Sequence, residues 1–210
     1  MKVGVVIFHK NIYSIFQKRW VDKCLHTIRT QTHQEFTVFE ICYGDTPERL
    51  WEGSEYLHAP LQNHIYALNF IIDYAFENGC DVVMETNLDD FYSPLRFSLQ
   101  LQAIEDGYDL VSSDFSHIDE NDNKIRTSSF SNLDIKHELH TGHNIIAHPV
   151  VCINKKFWEQ NKYYGVNELG YEDYVLWRKA ISNGAKAIIL PDILLYYRLH
   201  EKQTGRLNPA

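Results

Sequence analysis

An α/β fold, with a mostly parallel central sheet flanked by helices, is what the sequence predicts, and three observations lead there. Short apolar, β-branched runs alternate with stretches whose apolar residues recur at three- and four-residue steps. Strand and helix exchange in this way four times in the first half of the chain, the signature of crossover connections between parallel strands. Three groups of chemically capable residues, His9-Lys10-Asn11, Tyr43-Gly44-Asp45 and Asn87 to Asp90, each follow directly on a strand. In a parallel sheet those positions gather on one rim, where ligands bind.

The elements follow in order. Val3 to Phe8 is a continuous apolar run, typical of a strand buried on both faces. A helix starts near Ser14, with Phe16, Trp20, Cys24, Leu25 and Ile28 at helical spacing. Phe36 to Cys42 reads as the second strand. Leu61 to Phe76 reads as the second helix, with Ile65, Leu68, Ile72 and Phe76 on one face and Asn78-Gly79 closing it. Asp81 to Glu85 is the third strand. Ser93-Pro94 caps and starts a third helix running towards Gly107, and Leu110 to Ser113 is a fourth strand. Residues 116–141 are polar and irregular and read as loops with short elements over the rim, with mobility expected there. Asn154 to Gln160 and Glu172 to Ser182 read as helices, the second ended by Asn183-Gly184. Ala187 to Leu190 and Ile193 to Tyr197 read as two strands separated by Pro191-Asp192.

Composition excludes several functions. Asp plus Glu outnumber Lys plus Arg by 28 to 20, a formal charge of −8, and no basic cluster offers a face to nucleic acid. No run reaches membrane-spanning length, and the four well-separated cysteines form no CxxC pair. These features predict a single-domain, cytoplasmic protein with neither nucleic acid nor membrane as partner. An acidic protein that handles an anionic ligand does so most simply through a metal ion.

Four stretches carry candidate chemistry, each with a plain alternative. In TNLDDFYSP, Asp89 and Asp90 are adjacent carboxylates at a strand end; they hold a hard divalent cation, or form a solvated turn. In GYEDYVLWRKAISNG, Glu172 and Asp173 open a helix, as a general base or as ordinary first-turn acids. HELHTGHNIIAHP contains His137, His140, His143 and His148 but lacks the H-E-x-x-H spacing, so surface histidines are favoured over a zinc site. LLYYRLHEKQTG returns Tyr197, Arg198 and His200 to the rim, or is an edge strand with ordinary polar residues.

Taken together, six pieces in order resemble family-2 glycosyltransferases of the GT-A fold, a Rossmann-like architecture. They are VGVVIFHKN, CLHTIRTQTHQEFTVFEICYGD, TNLDDFYSP, HPVVCINKKFW, GYEDYVLWRKAISNG and ILLYYRLH. The resemblance covers nearly the whole chain and is similar to that of virus-encoded members, which would place the protein in a host cytoplasm. It implies one domain over residues 1–210, with a nucleotide-binding half over about 1–115 and an acceptor-side half over about 116–210. It also implies transfer of a sugar, with inversion, from a nucleoside-diphosphate donor to a glycan hydroxyl. The donor expected is a UDP-hexose or UDP-deoxyhexose, and the cofactor Mn²⁺ or Mg²⁺.

Residue by residue, the resemblance makes Asp89 the metal ligand, with Asp90 and His200 beside it, and Asp173 the catalytic base, with Glu172 as its partner. Around the nucleotide it places Phe8, His9, Asn11, Tyr43, Asp45, Asn63, Asn87, Asp89 and Arg198. Two departures stand out: Asn87 replaces the first Asp of the Asp-x-Asp motif, and Tyr43 replaces an acid that in relatives reads uracil, so that here it would stack on the base. Rival readings are a catalytically silent carbohydrate- or nucleotide-sugar-binding domain and a sugar-nucleotide pyrophosphorylase. The second would need a Gly-rich basic loop after the first strand, which FHKNIYS is not.

Overall fold

The computed structural model describes residues 1–168 and 170–203. Strand β1 (Val3–His9) lies between β2 (Phe36–Cys42) and β4 (Val82–Glu85) and pairs with both in parallel. β3 (Glu55–His58) adds a parallel strand outside β2. On the other side, β8 (Cys152–Asn154) runs antiparallel between β4 and β6 (Leu110–Ile118), and β9 (Ala187–Arg198) pairs with β6 in parallel. The sheet order is β3-β2-β1-β4-β8-β6-β9-β5, where β5 is Phe91–Tyr92; β7 (Lys124–Ser128) pairs with β6 off this path. Strands β3, β2, β1, β4, β6 and β9 all run one way, so the sheet is mostly parallel.

Each face of the sheet is covered. Alternation along β1 sends Val6 to one core and Val3, Val5 and Ile7 to the other. The first core is closed by α3 (His64–Glu77), α6 (Lys155–Asn161) and α7 (Glu172–Ser182), through Leu68, Ile72, Trp158 and Trp177. The second is closed by α2 (Lys18–Arg29) and α4 (Arg96–Glu105), through Val21, Ile28, Phe97 and Leu101. Gly79 and Gly184 take the left-handed conformation, φ 86° and 89°, just past α3 and α7, as Asn78-Gly79 and Asn183-Gly184 suggest.

Several boundaries differ from those expected. The first helical segment is two helices, α1 (Ile12–Ile15) and α2, broken at Phe16 in extended conformation. The second begins at His64 rather than Leu61, because the Asn63 side chain accepts from the Ile65 and Tyr66 N–H groups and caps it. The third begins at Arg96, and the residues before Ser93-Pro94 form β5. Strands β3 and β8 were hidden because they are four and three residues long. The two expected C-terminal strands are one, β9: the register jumps from Leu190↔Ser113 to Ile193↔Asp114, so Pro191-Asp192 is a bulge, which a residue without N–H tolerates.

The largest correction concerns residues 116–141. They complete β6, form the hairpin strand β7 and then α5 (Ile135–Thr141). Buried Asp114 organises the connection: its carboxylate accepts from Ser129 Oγ (2.6 Å), the Phe130 N–H (2.7 Å), and the N–H and Oγ of Ser131 (both 3.0 Å). Four donors on one buried carboxylate fix a segment that reads as loose in sequence. Replacing Asp114 by Ala is expected to cost about 2 kcal/mol in urea unfolding, with faster amide exchange at Phe130 and Ser131. Exchange there at the wild-type rate would contradict the role given to Asp114.

Candidate active site

The parallel register sets β1, β2 and β4 side by side, and the chain leaving each of them enters the wall of a cavity of about 550 Å³. Phe8, His9, Tyr43, Asn87, Asp89, Glu172 and Asp173 all line it, so the first half of the chain and the start of α7 meet there.

His9 is held from behind. Its Nε2 lies 3.1 Å from Glu40 Oε1, and Glu40 also accepts from the Leu50 and Trp51 N–H groups and from Ser54 Oγ. Burial works to raise the Glu40 carboxyl, but the His9 ring and these donors outweigh it and keep it below the usual carboxylate range. The Asn87 peptide is fixed by the Tyr92 hydroxyl, which accepts from the Asn87 N–H at 2.9 Å and also bonds the Pro149 carbonyl at 3.0 Å. Tyr92 and Trp177 are core residues, whereas Tyr171 is about half exposed.

Asp89 faces the cavity with one carboxylate oxygen engaged. The Lys202 N–H donates to His200 Nδ1 at 3.3 Å, which leaves the ring proton on Nε2, and Nε2 donates to Asp89 Oδ2 at 3.0 Å. Phe16 and Trp20 pack on the His200 ring. His200 therefore orients Asp89 from beneath and is not on the cavity wall.

Asp90 points elsewhere. It is fully buried, its Oδ1 accepts the Arg198 N–H at 2.7 Å, and burial together with the Asp89 charge pushes its carboxyl well above the usual range. Arg198 is also fully buried. Its Nε donates to the Asp89 carbonyl (2.8 Å), while Nη1 bonds the Asp119 carbonyl (3.0 Å) and pairs with Asp122 (2.5 Å). Arg198 thus ties the Asp89 loop to the β6–β7 turn and is not on the cavity wall, although the resemblance sets it beside the nucleotide. Asn11, Asp45 and Asn63 are also off the wall: Asn11 caps α1 in a left-handed conformation, Asp45 is exposed, and Asn63 caps α3. Among the described residues no group of three or more His, Cys, Asp or Glu is arranged to hold a metal ion, because Asp90 is turned away from Asp89 and His200. His140 and His143 are exposed and engaged locally, with the Lys136 carbonyl and Glu138.

Asp173 sits in the first turn of α7. Its Oδ2 accepts from Asn144 Nδ2 at 2.9 Å and its Oδ1 from the Tyr174 N–H at 2.7 Å. Burial raises its carboxyl above the ordinary range, against the opposing pull of His148 and these donors. For Glu172 burial also acts upwards, but His64, 3.4 Å away, and the helix start outweigh it and the carboxyl is lowered. The neighbouring acids are therefore driven apart, with Asp173 the more basic of the two carboxylates.

Sequence reasoning did not single out Glu85, Tyr164, Asn144 or His64, and it weighed His148 only as a zinc ligand. Glu85 offered one signal, a carboxylate closing an otherwise apolar strand, VVME.

No protein-family model and no curated protein matches the chain. Solved structures share its fold. S. aureus TarS 1–349 in complex with UDP-GlcNAc superposes with a TM-score of 0.72 at 15% identity, over 100% of this chain and 62% of that one. A second crystal structure of S. aureus TarS gives 0.68 at 16%, over 95% of this chain and 37% of that one. Mannosyltransferase PcManGT from Pyrobaculum calidifontis, in complex with GDP-Man and Mn²⁺, gives 0.62 at 14%, over 93% and 56%. The chain thus spans less than two thirds of each of these structures, and what it shares with them is the GT-A architecture.

Arg198→Met is expected to destabilise the fold by about 3 kcal/mol, since it strips partners from the Asp89 carbonyl, the Asp119 carbonyl and Asp122 at once. Chemical denaturation measures this, and a change below about 1 kcal/mol would mean that the clamp is not structural.

Proposed function

We propose that the chain is a metal-dependent, inverting glycosyltransferase that moves a hexose or deoxyhexose from a nucleoside-diphosphate donor, UDP first among them, to a hydroxyl of a glycan. The observation that carries this reading is that Asp89 and Asp173, from distant parts of the chain, line one cavity and are held by different partners. A diphosphate site and a proton acceptor sharing one enclosure are what displacement at an anomeric carbon requires. Neighbours of the same fold are solved with UDP, UDP-GlcNAc and GDP-Man, which supports a nucleotide-sugar donor.

The residues divide the work. Phe8 and Tyr43 offer aromatic surface to the base, and Asn87, its peptide fixed by Tyr92, offers a side chain to the ribose. Asp89 fits a divalent cation of the Mg²⁺ or Mn²⁺ type, because His200 occupies only Oδ2 and such ions take one carboxylate oxygen with diphosphate oxygens completing the shell. Asp89 would hold such an ion, which when bound would supply the charge neutralisation that makes diphosphate a leaving group. Asp173 takes the acceptor hydroxyl proton as the new C–O bond forms. The bond from the anomeric carbon to the diphosphate breaks on the opposite side, and the nucleoside diphosphate departs with its electron pair. With its carboxyl raised by burial, Asp173 is expected to set the acidic limit of activity above the ordinary carboxylate range, the rate falling as the base is protonated.

The test is release of nucleoside diphosphate from a panel of UDP-, GDP- and dTDP-sugars offered with oligosaccharide acceptors. Asp173→Asn is expected to lower turnover by about 10²–10⁴-fold while leaving donor affinity unchanged. A variant as active as wild type would assign the base elsewhere, and donor binding without turnover in any pairing would mark a silent binding domain.

A further inference from the structure

Behind the cavity lies a buried charge that the proposed reaction does not use. Glu85, at the end of β4, is 1% exposed. The Tyr164 hydroxyl donates to its Oε1 at 2.5 Å, and His148 Nε2 stands 2.7 Å from its Oε2. Tyr164 is itself fully buried and offers the carboxylate one neutral donor, so the charge has to be balanced by the His148 ring. His148 opens a 3₁₀ turn (His148–Val150), packs against the Tyr164 and Trp177 rings, and also lines the cavity that holds Asp173 and Glu172.

The geometry points to the His148 imidazolium, anchored from behind by Glu85 and Tyr164, as the counter-charge that keeps the Asp173 carboxylate available as a base. The inference rests on the reading of Asp173 given above and adds a positioning residue to it: His148 acts through Asp173, and the transferred proton does not pass through it. The charged and titratable groups around the ring are Glu85 and Tyr164 behind it and Glu172 and Asp173 at the start of α7. His64 lies beyond Glu172, and Arg96 bonds the Glu85 carbonyl at 2.6 Å. Burial lowers the His148 pKa, but Glu85, then Asp173 and Glu172, outweigh it and carry it from 6.5 to about 9. Because the folded value is the higher one, the ion pair stabilises the fold fully below 6.5, and that contribution is lost as the pH rises through about 9. A half-buried base that shares a cavity with a fixed cation stays ionised at a pH where desolvation alone would have protonated it.

The experiment follows the Asp173 carboxyl and the His148 ring by NMR, as carbon and nitrogen shifts against pH without substrate, and the pH profile of turnover beside them. In His148→Gln, which keeps a donor for Glu85 but removes the charge, the Asp173 titration and the acidic limb of turnover are expected to move up together by about one pH unit. In Glu85→Gln the His148 ring is expected to release its proton at a lower pH than in wild type. An Asp173 titration unmoved by His148→Gln would overturn the proposal, as would a His148 titration unmoved by Glu85→Gln, and the second variant decides if the first does not fold. The titrations need no donor. Failure of every sugar donor, with both titrations moving as stated, would therefore sink the transferase reading and leave the counter-charge standing.

Discussion

The constraint on which the rest depends is the parallel, in-register pairing of β1 with its two neighbours. Val3 sits opposite both Phe36 and Val82, and the ladders run forward from there, so β1, β2 and β4 all deliver their chain to the same edge of the sheet. Everything beyond that edge has to turn, and turns are where polar side chains and positive φ values are tolerated. His9, Tyr43 and Asn87 come together because the three strands run parallel and in register towards one edge, and two covered faces leave that rim as the open side of the sheet.

Beneath the rim the protein buries carboxylates, and each has its own set of partners. Glu40 holds His9 and the 50–54 turn, Asp114 holds the 129–131 connection, and Glu85 holds Tyr164 and His148. A buried carboxylate left short of donors is costly, so each of these fixes the geometry of the segment that supplies its donors. Arg198 plays the complementary part as a fully buried cation joining β9, the Asp89 loop and the β6–β7 turn. The cavity wall is therefore backed by a layer of paired charges, and His9, His148 and Asp89 reach the cavity while held by it.

What could be read in the sequence follows from what leaves a local trace. β1, α3 and α7 were legible because burial imposes a period on their apolar residues, and the glycines after α3 and α7 mark their ends. β7, KIRTS, was not, because four of its five residues are exposed and it carries no alternation to detect. Around the cavity, the place of Asp89 and Asp173 on its wall was legible through position, one after a buried strand and one at a helix start. The contacts of Arg198 and Asp90 were not legible, because their residue types suit a diphosphate or a metal, whereas their partners lie about a hundred residues away in sequence. His148 is the converse case. It appeared in a run of histidines read as surface residues rather than a zinc site, and its partner Glu85 sits on a strand with no spacing to connect them.

The central claim is that Asp89 holds the diphosphate through a divalent cation. Titration calorimetry of UDP, with and without Mn²⁺, on the wild type and on Asp89→Ala, tests it most directly. The account predicts UDP binding that depends on Mn²⁺ and is lost in Asp89→Ala, with the fold intact by circular dichroism. UDP binding that is indifferent to the metal, or that survives in Asp89→Ala, would contradict it.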